Sequence, residues 1–101
     1  MPAKHAVRYL PAAEHDLLSI HDWIATDSPS RAIAFVEKLD KRIGKLGTHP
    51  YLGRIPRYPK LQESGHRVLV IEAYLVFYKV RGRTVEIQRV VHGSRYLEGI
   101  V

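Results

Sequence analysis

The sequence predicts an α+β domain in which a helical hairpin packs on a mainly antiparallel sheet. Two observations lead to this fold class. Two stretches with helical spacing of apolar residues lie in the first half of the chain, and three short apolar runs with very short connections lie in the second half. The 101 residues correspond to one domain with a single modest core, so residues 1–101 are taken as one unit.

The first half begins with a predicted strand, because residues 5–10 alternate between apolar and polar side chains. Pro11 stops that strand and suits the first turn of a helix, which we expect from about Ala12 to about Thr26. Apolar residues at helical spacing form one stripe along this helix. Trp23 shares that spacing and is therefore expected in the core.

A second helix is expected directly after the break at residues 27–30. Ser28 can cap it, with Pro29 at its first position, and Gly47 is a natural terminator. Phe35 lies beside its apolar stripe and is also expected in the core. Two helices joined by so short a break form an antiparallel hairpin.

The second half reads as three strands, at residues 67–71, 74–80 and 84–91. Only Glu72-Ala73 and Arg81-Gly82-Arg83 separate them, so neighbouring strands must form antiparallel hairpins. Neither parity of the last strand is clean, which indicates a bulge near Arg89. Alternation alone does not decide which parity faces the helices. Residues 51–65 lack a clear period and are expected to form a surface loop.

The charge of the chain is concentrated in its second half. Residues 1–50 carry 7 Lys and Arg against 6 Asp and Glu, whereas residues 51–101 carry 9 against 4. A positive field favours nucleic acid or an acidic protein as a partner, although solubility alone would also explain it. The candidate contact residues are Arg54, Arg57, Lys60, Arg81 and Arg83.

Composition also narrows the location and the chemistry of the protein. The chain has no cysteine, no apolar run near the roughly 20 residues that cross a bilayer and no secretory signal at its start, which fits a cytoplasmic protein. No cofactor is expected, since there is no Gly-rich phosphate loop and no Ser-His-Asp order. No metal is expected either, because His15 and His21 do not share a helix face.

The order and spacing of several segments resemble the RelE/ParE superfamily of toxins from bacterial toxin–antitoxin pairs. The resemblance runs nearly from end to end and is closer to the ParE-like branch. The segments that carry it are Tyr9-Leu10-Pro11-Ala12-Ala13, His49-Pro50-Tyr51-Leu52-Gly53, Arg67-Val68-Leu69-Val70, Tyr74-Leu75-Val76-Phe77-Tyr78 and Arg89-Val90-Val91-His92-Gly93-Ser94-Arg95.

The resemblance implies a cytoplasmic toxin that a cognate antitoxin silences in a toxin–antitoxin hetero-oligomer. RelE-like members cut messenger RNA on the ribosome, whereas ParE-like members lack the nuclease residues and poison DNA gyrase. In the RelE-like pattern an Arg directly follows the Tyr of the second late strand. Here Leu75 follows Tyr74, which removes the expected phosphate clamp.

We therefore expect a ParE-like toxin that inhibits gyrase by direct binding without covalent chemistry of its own. The alternative is a metal-independent messenger-RNA endonuclease, in which the catalytic residues would be Arg67, His92, Arg95 and Tyr96. A second alternative is a non-toxic family member that only binds antitoxin. Structural roles remain open for all four residues: Arg67 over the sheet, His92 bonded to backbone, Arg95 paired with Glu98, and Tyr96 packed.

Overall fold

The computed structural model describes the backbone of residues 4–96 and the side chains of residues 4–94. Four strands and four helices, with one 3₁₀ turn after α2, make up this part of the chain. In chain order they are β1 (Ala6–Tyr9), α1 (Pro11–Ala25), α2 (Pro29–Gly44), the 3₁₀ turn (Lys45–Gly47), α3 (Pro59–Glu63), β2 (Arg67–Ile71), β3 (Tyr74–Arg81), β4 (Thr84–His92) and α4 (Gly93–Tyr96).

The α+β prediction is confirmed, with one addition to the sheet. The three late strands are antiparallel as expected, but the sheet has four strands in the order β1-β4-β3-β2. Strand β1 lies parallel to β4, with Arg8 opposite Glu86. Two parallel strands must be joined by a long crossover connection. The helical hairpin is part of the connection between β1 and β4. The alternation at residues 5–10 predicts a strand but carries no information about its partner.

The helical hairpin follows the local signals closely. Helix α1 has Pro11 in its first turn, and the Ser28 hydroxyl accepts a bond from the Arg31 N–H at the start of α2, with an N to O distance of 3.3 Å. The α-helical hydrogen bonding ends at Gly44, and the 3₁₀ turn carries the chain on to Gly47. The predicted caps and break are therefore confirmed, with the last turn tighter than an α-helix.

The main core lies between the helical hairpin and one face of the sheet, and its position decides which parity faces the helices. In β3 the side chains that face the helices include Val76 and Tyr78, both fully buried. The buried members of this core are Ala13, Ile20, Leu39, Ile43, Leu46, Ile71, Val76, Tyr78, Val85, Ile87 and Val90. We call the opposite side of the sheet the back face.

Two expectations about individual segments are wrong. Trp23 is 76% exposed instead of buried, because its side of α1 opens on a groove instead of the core. Phe35 does pack against the core, with its ring 5.5 Å from that of Tyr74. Residues 51–65 are not wholly irregular either, since they contain α3 and a bridge between Arg54 and Val68.

Helix α3 matters because it covers part of the back face. Leu61 of α3 is buried against four side chains of the sheet, and together they form a second, smaller cluster. We call this group the back-face cluster; its members are Leu61, Val68, Leu75, Phe77 and Val91. Within residues 4–96, no helix is long and apolar enough to cross a membrane.

Candidate functional site

Arg67 begins β2 on the side of the sheet that carries the main core. Its Nη1 donates to the Gly53 carbonyl at 2.9 Å, and its guanidinium carbon lies 4.9 Å from the ring centre of Tyr51. Gly53 in turn donates its N–H to the buried Tyr78 hydroxyl at 2.8 Å. A Cβ at Gly53 would lie 2.7 Å from that hydroxyl, so only glycine fits here. These contacts give Arg67 a structural role at the loop that holds Gly53.

His92 ends β4 and shapes the start of α4. Its Nδ1 lies 2.9 Å from the Ser94 hydroxyl and accepts the Ser94 N–H at 3.2 Å. Its ring makes an edge contact with Tyr74, at 5.3 Å between centres. Burial raises the pKa of Tyr74, so this phenol is neutral near pH 7 and is a poor proton acceptor. The expectation that His92 bonds backbone at the strand end is confirmed.

The structure does not bring Arg67 and His92 together. Arg67 is opposite Tyr78 and His92 is opposite Tyr74, so the two side chains start four positions apart along β3. That spacing corresponds to about 13 Å along the strand, and β3 itself separates β2 from β4 by about 10 Å. The side chains of Arg95 and Tyr96 lie outside the described residues, so their place in a nuclease site stays a prediction.

Leu75 occupies the position where the RNA-cleaving branch carries a phosphate-binding Arg. It lies on the back face and packs against the back-face cluster. The neighbouring Phe77 is fully buried, and Val91 and Val68 are only 4% and 6% exposed. The described side chains around Leu75 are therefore apolar: Leu61 of α3 packs on the cluster, and Val70, opposite Leu75, is 42% exposed. Such a surface is unsuited to hold a phosphodiester.

The bulge expected near Arg89 is present, and it carries an ion pair that the sequence did not reveal. The register of β3 and β4 shifts between Phe77 and Tyr78, which brings Arg89 to α1. Asp16 accepts from Arg89 Nε at 2.8 Å and Nη2 at 3.0 Å, and also from the Val90 N–H at 2.8 Å. The carboxylate raises the pKa of Arg89. Periodicity within α1 carries no information about this pair, because Asp16 and Arg89 are 73 residues apart in the chain.

A groove of about 520 Å³ opens beside this ion pair, between α1 and the end of β4. One wall is the helical row His15, Ser19 and Trp23, and the opposite wall carries His92 and Ser94. Because Asp16 and Arg89 neutralise each other at its base, the groove carries little charge of its own. Among the described side chains there is no group of three or more His, Asp or Glu residues that could bind a metal.

The five candidate contact residues form two separate groups. Arg54, Arg57 and Lys60 are exposed; Arg54 is bridged to Val68 of β2, and Lys60 lies on α3. Arg81 and Arg83 lie at the turn between β3 and β4, at the far end of the sheet from His92. Arg81 Nε contacts Glu86 at 2.8 Å, and the Arg83 carbonyl accepts the Ala6 N–H at 2.8 Å.

Comparisons with known proteins identify the family. The model of the ParE toxin of the type II toxin–antitoxin system parDE matches residues 7–97. This chain belongs to that family. The family assignment confirms the resemblance to the RelE/ParE superfamily and its ParE-like branch. No curated protein matches the sequence.

Two solved structures from toxin–antitoxin systems have folds similar to that of this ParE family chain. It is similar to a chain of the chromosomal ParDE system from P. aeruginosa, with a TM-score of 0.75 and 21% identity, over 89% of this chain and 97% of that one. It is also similar to a chain of the toxin–antitoxin complex RelBE2 from Mycobacterium tuberculosis, with a TM-score of 0.63 and 26% identity, over 89% and 92%. The first likeness concerns the fold alone.

Proposed function

We propose that this chain is a ParE-like toxin that inhibits DNA gyrase by binding it and that a cognate antitoxin neutralises. The observation that carries the choice of mechanism is the position of Leu75. Where an RNA-cleaving toxin needs a cation to hold the phosphate, this chain has Leu75 in an apolar cluster with Leu61 of α3. A protein without that clamp acts most simply through surface contact.

The ParE family assignment supports gyrase as the target and antitoxin as the partner, and both similar structures contain toxin–antitoxin systems. Direct inhibition requires a surface to which gyrase can bind. Trp23 supplies an anchor for such a contact, because its side chain is 76% exposed beside an open groove. Tryptophan is enriched among the residues that dominate protein interfaces.

The test is a gyrase reaction on supercoiled plasmid, with trapped gyrase–DNA complexes as the readout. We expect the purified chain to accumulate such complexes and to leave messages on translating ribosomes intact. His92→Ala should retain this activity, since His92 serves the turn into α4. Trp23→Ala should lower it by about tenfold or more while leaving the fold intact, because an exposed anchor contributes to binding and little to packing.

Two results would contradict the proposal. Cleavage of messages at codon positions by the purified chain on ribosomes, abolished by His92→Ala in a folded protein, would establish the endonuclease. Normal growth of cells that overproduce the soluble chain without antitoxin would indicate a non-toxic family member.

A further inference from the structure

The back face of the sheet has a second half at the end where β3 turns into β4, and it lies outside the back-face cluster. Cross-strand register places Arg8 of β1, Glu86 of β4 and Lys79 of β3 in one row. Arg81 lies in the next row of the same face, opposite Thr84. Arg83 follows in the turn itself. We call Arg8, Lys79, Arg81 and Arg83 the hairpin-end cations.

These cations outnumber the acids around them. Glu86 is the one acidic residue among the six residues that the described register places in these two rows. It contacts Arg81 Nε at 2.8 Å, so Arg8, Lys79 and Arg83 keep a positive charge that no described acid neutralises at contact distance. The side chains of Arg8 and Arg83 are exposed, and that of Lys79 is half-buried.

We propose that the hairpin-end cations bind the phosphate backbone of duplex DNA. Charge complementarity carries the proposal, since cations held on neighbouring strands in excess over the one acid between them match a polyanion with regularly spaced charges. Across the three strands, Arg8 and Lys79 lie about 10 Å apart, which allows each to contact a different phosphate. This inference goes beyond gyrase inhibition, because it concerns a nucleic-acid contact made by the chain alone.

The surroundings favour duplex DNA over an acidic protein and over single-stranded RNA. Protein interfaces are built around an apolar centre, but none of the large exposed apolar side chains of the described residues lies on β1, β3 or β4. Single strands are held by stacking of their bases on aromatic side chains. The exposed aromatic residues Trp23, Tyr51 and Tyr58 all lie on other elements.

The test measures binding of the full chain to a fluorescein-labelled DNA duplex by anisotropy, between about 50 and 200 mM salt. The variant replaces Arg8, Lys79 and Arg83 with Gln and leaves the Arg81–Glu86 pair in place. The matched control replaces Arg54, Arg57 and Lys60 with Gln, because these exposed cations remove the same charge from another surface. We expect the hairpin-end variant to lose about tenfold or more in affinity and its salt slope to fall by about 0.9 per lost contact.

A gain-of-affinity variant separates this effect from loss of fold. Glu86→Gln removes the acid between the cations and keeps an acceptor for Arg81, so it should tighten DNA binding by about threefold or more. Circular dichroism and thermal unfolding verify that each variant folds. Equal losses in the two triple variants, tighter binding to single-stranded RNA than to duplex DNA, or no tightening with Glu86→Gln would overturn the proposal. Gyrase inhibition measured on the same variants shows whether the two activities share this surface.

Discussion

The two halves of the back face are built from the same strands but have different roles. In β3 the change occurs within two residues, from Phe77, which is fully buried, to Lys79, which is half-exposed. The difference lies in what covers them. Helix α3 places Leu61 over one half only, and there the strands carry apolar side chains. The uncovered half carries Arg8, Lys79 and Arg81, so one surface contributes stability and its continuation is free for contact.

This contrast also bears on the division within the superfamily. The apolar half coincides with the position of the missing phosphate clamp, Leu75. The hairpin-end cations are on the same face as Leu75, but they lie at the opposite end of the sheet from His92. Among the described side chains, the hairpin-end cations therefore do not converge on His92, as RNA cleavage would require of its charged and proton-transfer groups.

The largest expected effect is on stability, when the apolar half loses its central side chain. Phe77→Ala should lower the free energy of unfolding by about 3 to 4 kcal/mol, because it leaves a cavity in a fully buried site. Urea unfolding followed by circular dichroism measures this. Lys79→Ala, two residues along the same face, should cost less than about 1 kcal/mol. Equal costs for the two variants would show that the halves do not differ as described.

A charge placed in the apolar half sharpens the comparison further. Leu75→Arg should destabilise the protein by about 1 to 2 kcal/mol, because the guanidinium must reach past apolar neighbours to water. We expect no cleavage of messages on ribosomes, since Arg67 remains bound to the Gly53 carbonyl and far from His92. Leu75→Met, which keeps the volume and adds no charge, is the matched control.

Appearance of cleavage in Leu75→Arg, and not in Leu75→Met, would mean that a single side chain separates the two activities. The proposed structural role of Arg67 would then be wrong. The readout is primer extension on a defined message with translating ribosomes, with the unfolding measurement made on the same preparations.

The fold could be predicted from the sequence because its signals are local. Ser28-Pro29 marks the start of α2, and the short connections at Glu72-Ala73 and Gly82 require antiparallel hairpins. The parallel partner of β1 could not be predicted, since pairing between distant segments leaves no periodic trace in a single strand. Helix α3 was missed because its five residues, which begin with Pro59, are too few to show a helical period.

The site was less predictable than the fold, for a related reason. Asp16 and Arg89 are 73 residues apart, and nothing in the sequence around either residue indicates that the two form an ion pair. Trp23 has the spacing of a core residue, but spacing defines a helix face and not what lies opposite it. By contrast, the replacement of the clamp by Leu75 is a property of one position, and it could be read directly once the resemblance was established.

The smallest expected effect concerns His66, which lies at the boundary between the two halves. Its backbone N–H donates to the Leu61 carbonyl at 3.0 Å, and its ring Nδ1 is buried without a described partner. Burial lowers the pKa of His66, and the charge of Lys79 lowers it further. The unfolded chain therefore takes up a proton more readily than the folded protein. The His66 contribution to stability is full above an unfolded pKa of about 6.5 and is lost as the pH falls through the lower folded pKa.

Urea unfolding at about pH 7.5 and about pH 5 gives the loss of unfolding free energy on acidification for wild type and for His66→Gln. The difference between the two losses measures the effect of His66, because the carboxylates that both proteins share cancel. We expect the wild type to lose more stability on acidification than His66→Gln does. Lys79→Gln should lose less than wild type, because the cation that opposes protonation of His66 is gone. A loss in Lys79→Gln as large as that of wild type would show that burial alone sets the pKa of His66 and that the cationic half does not act across the boundary.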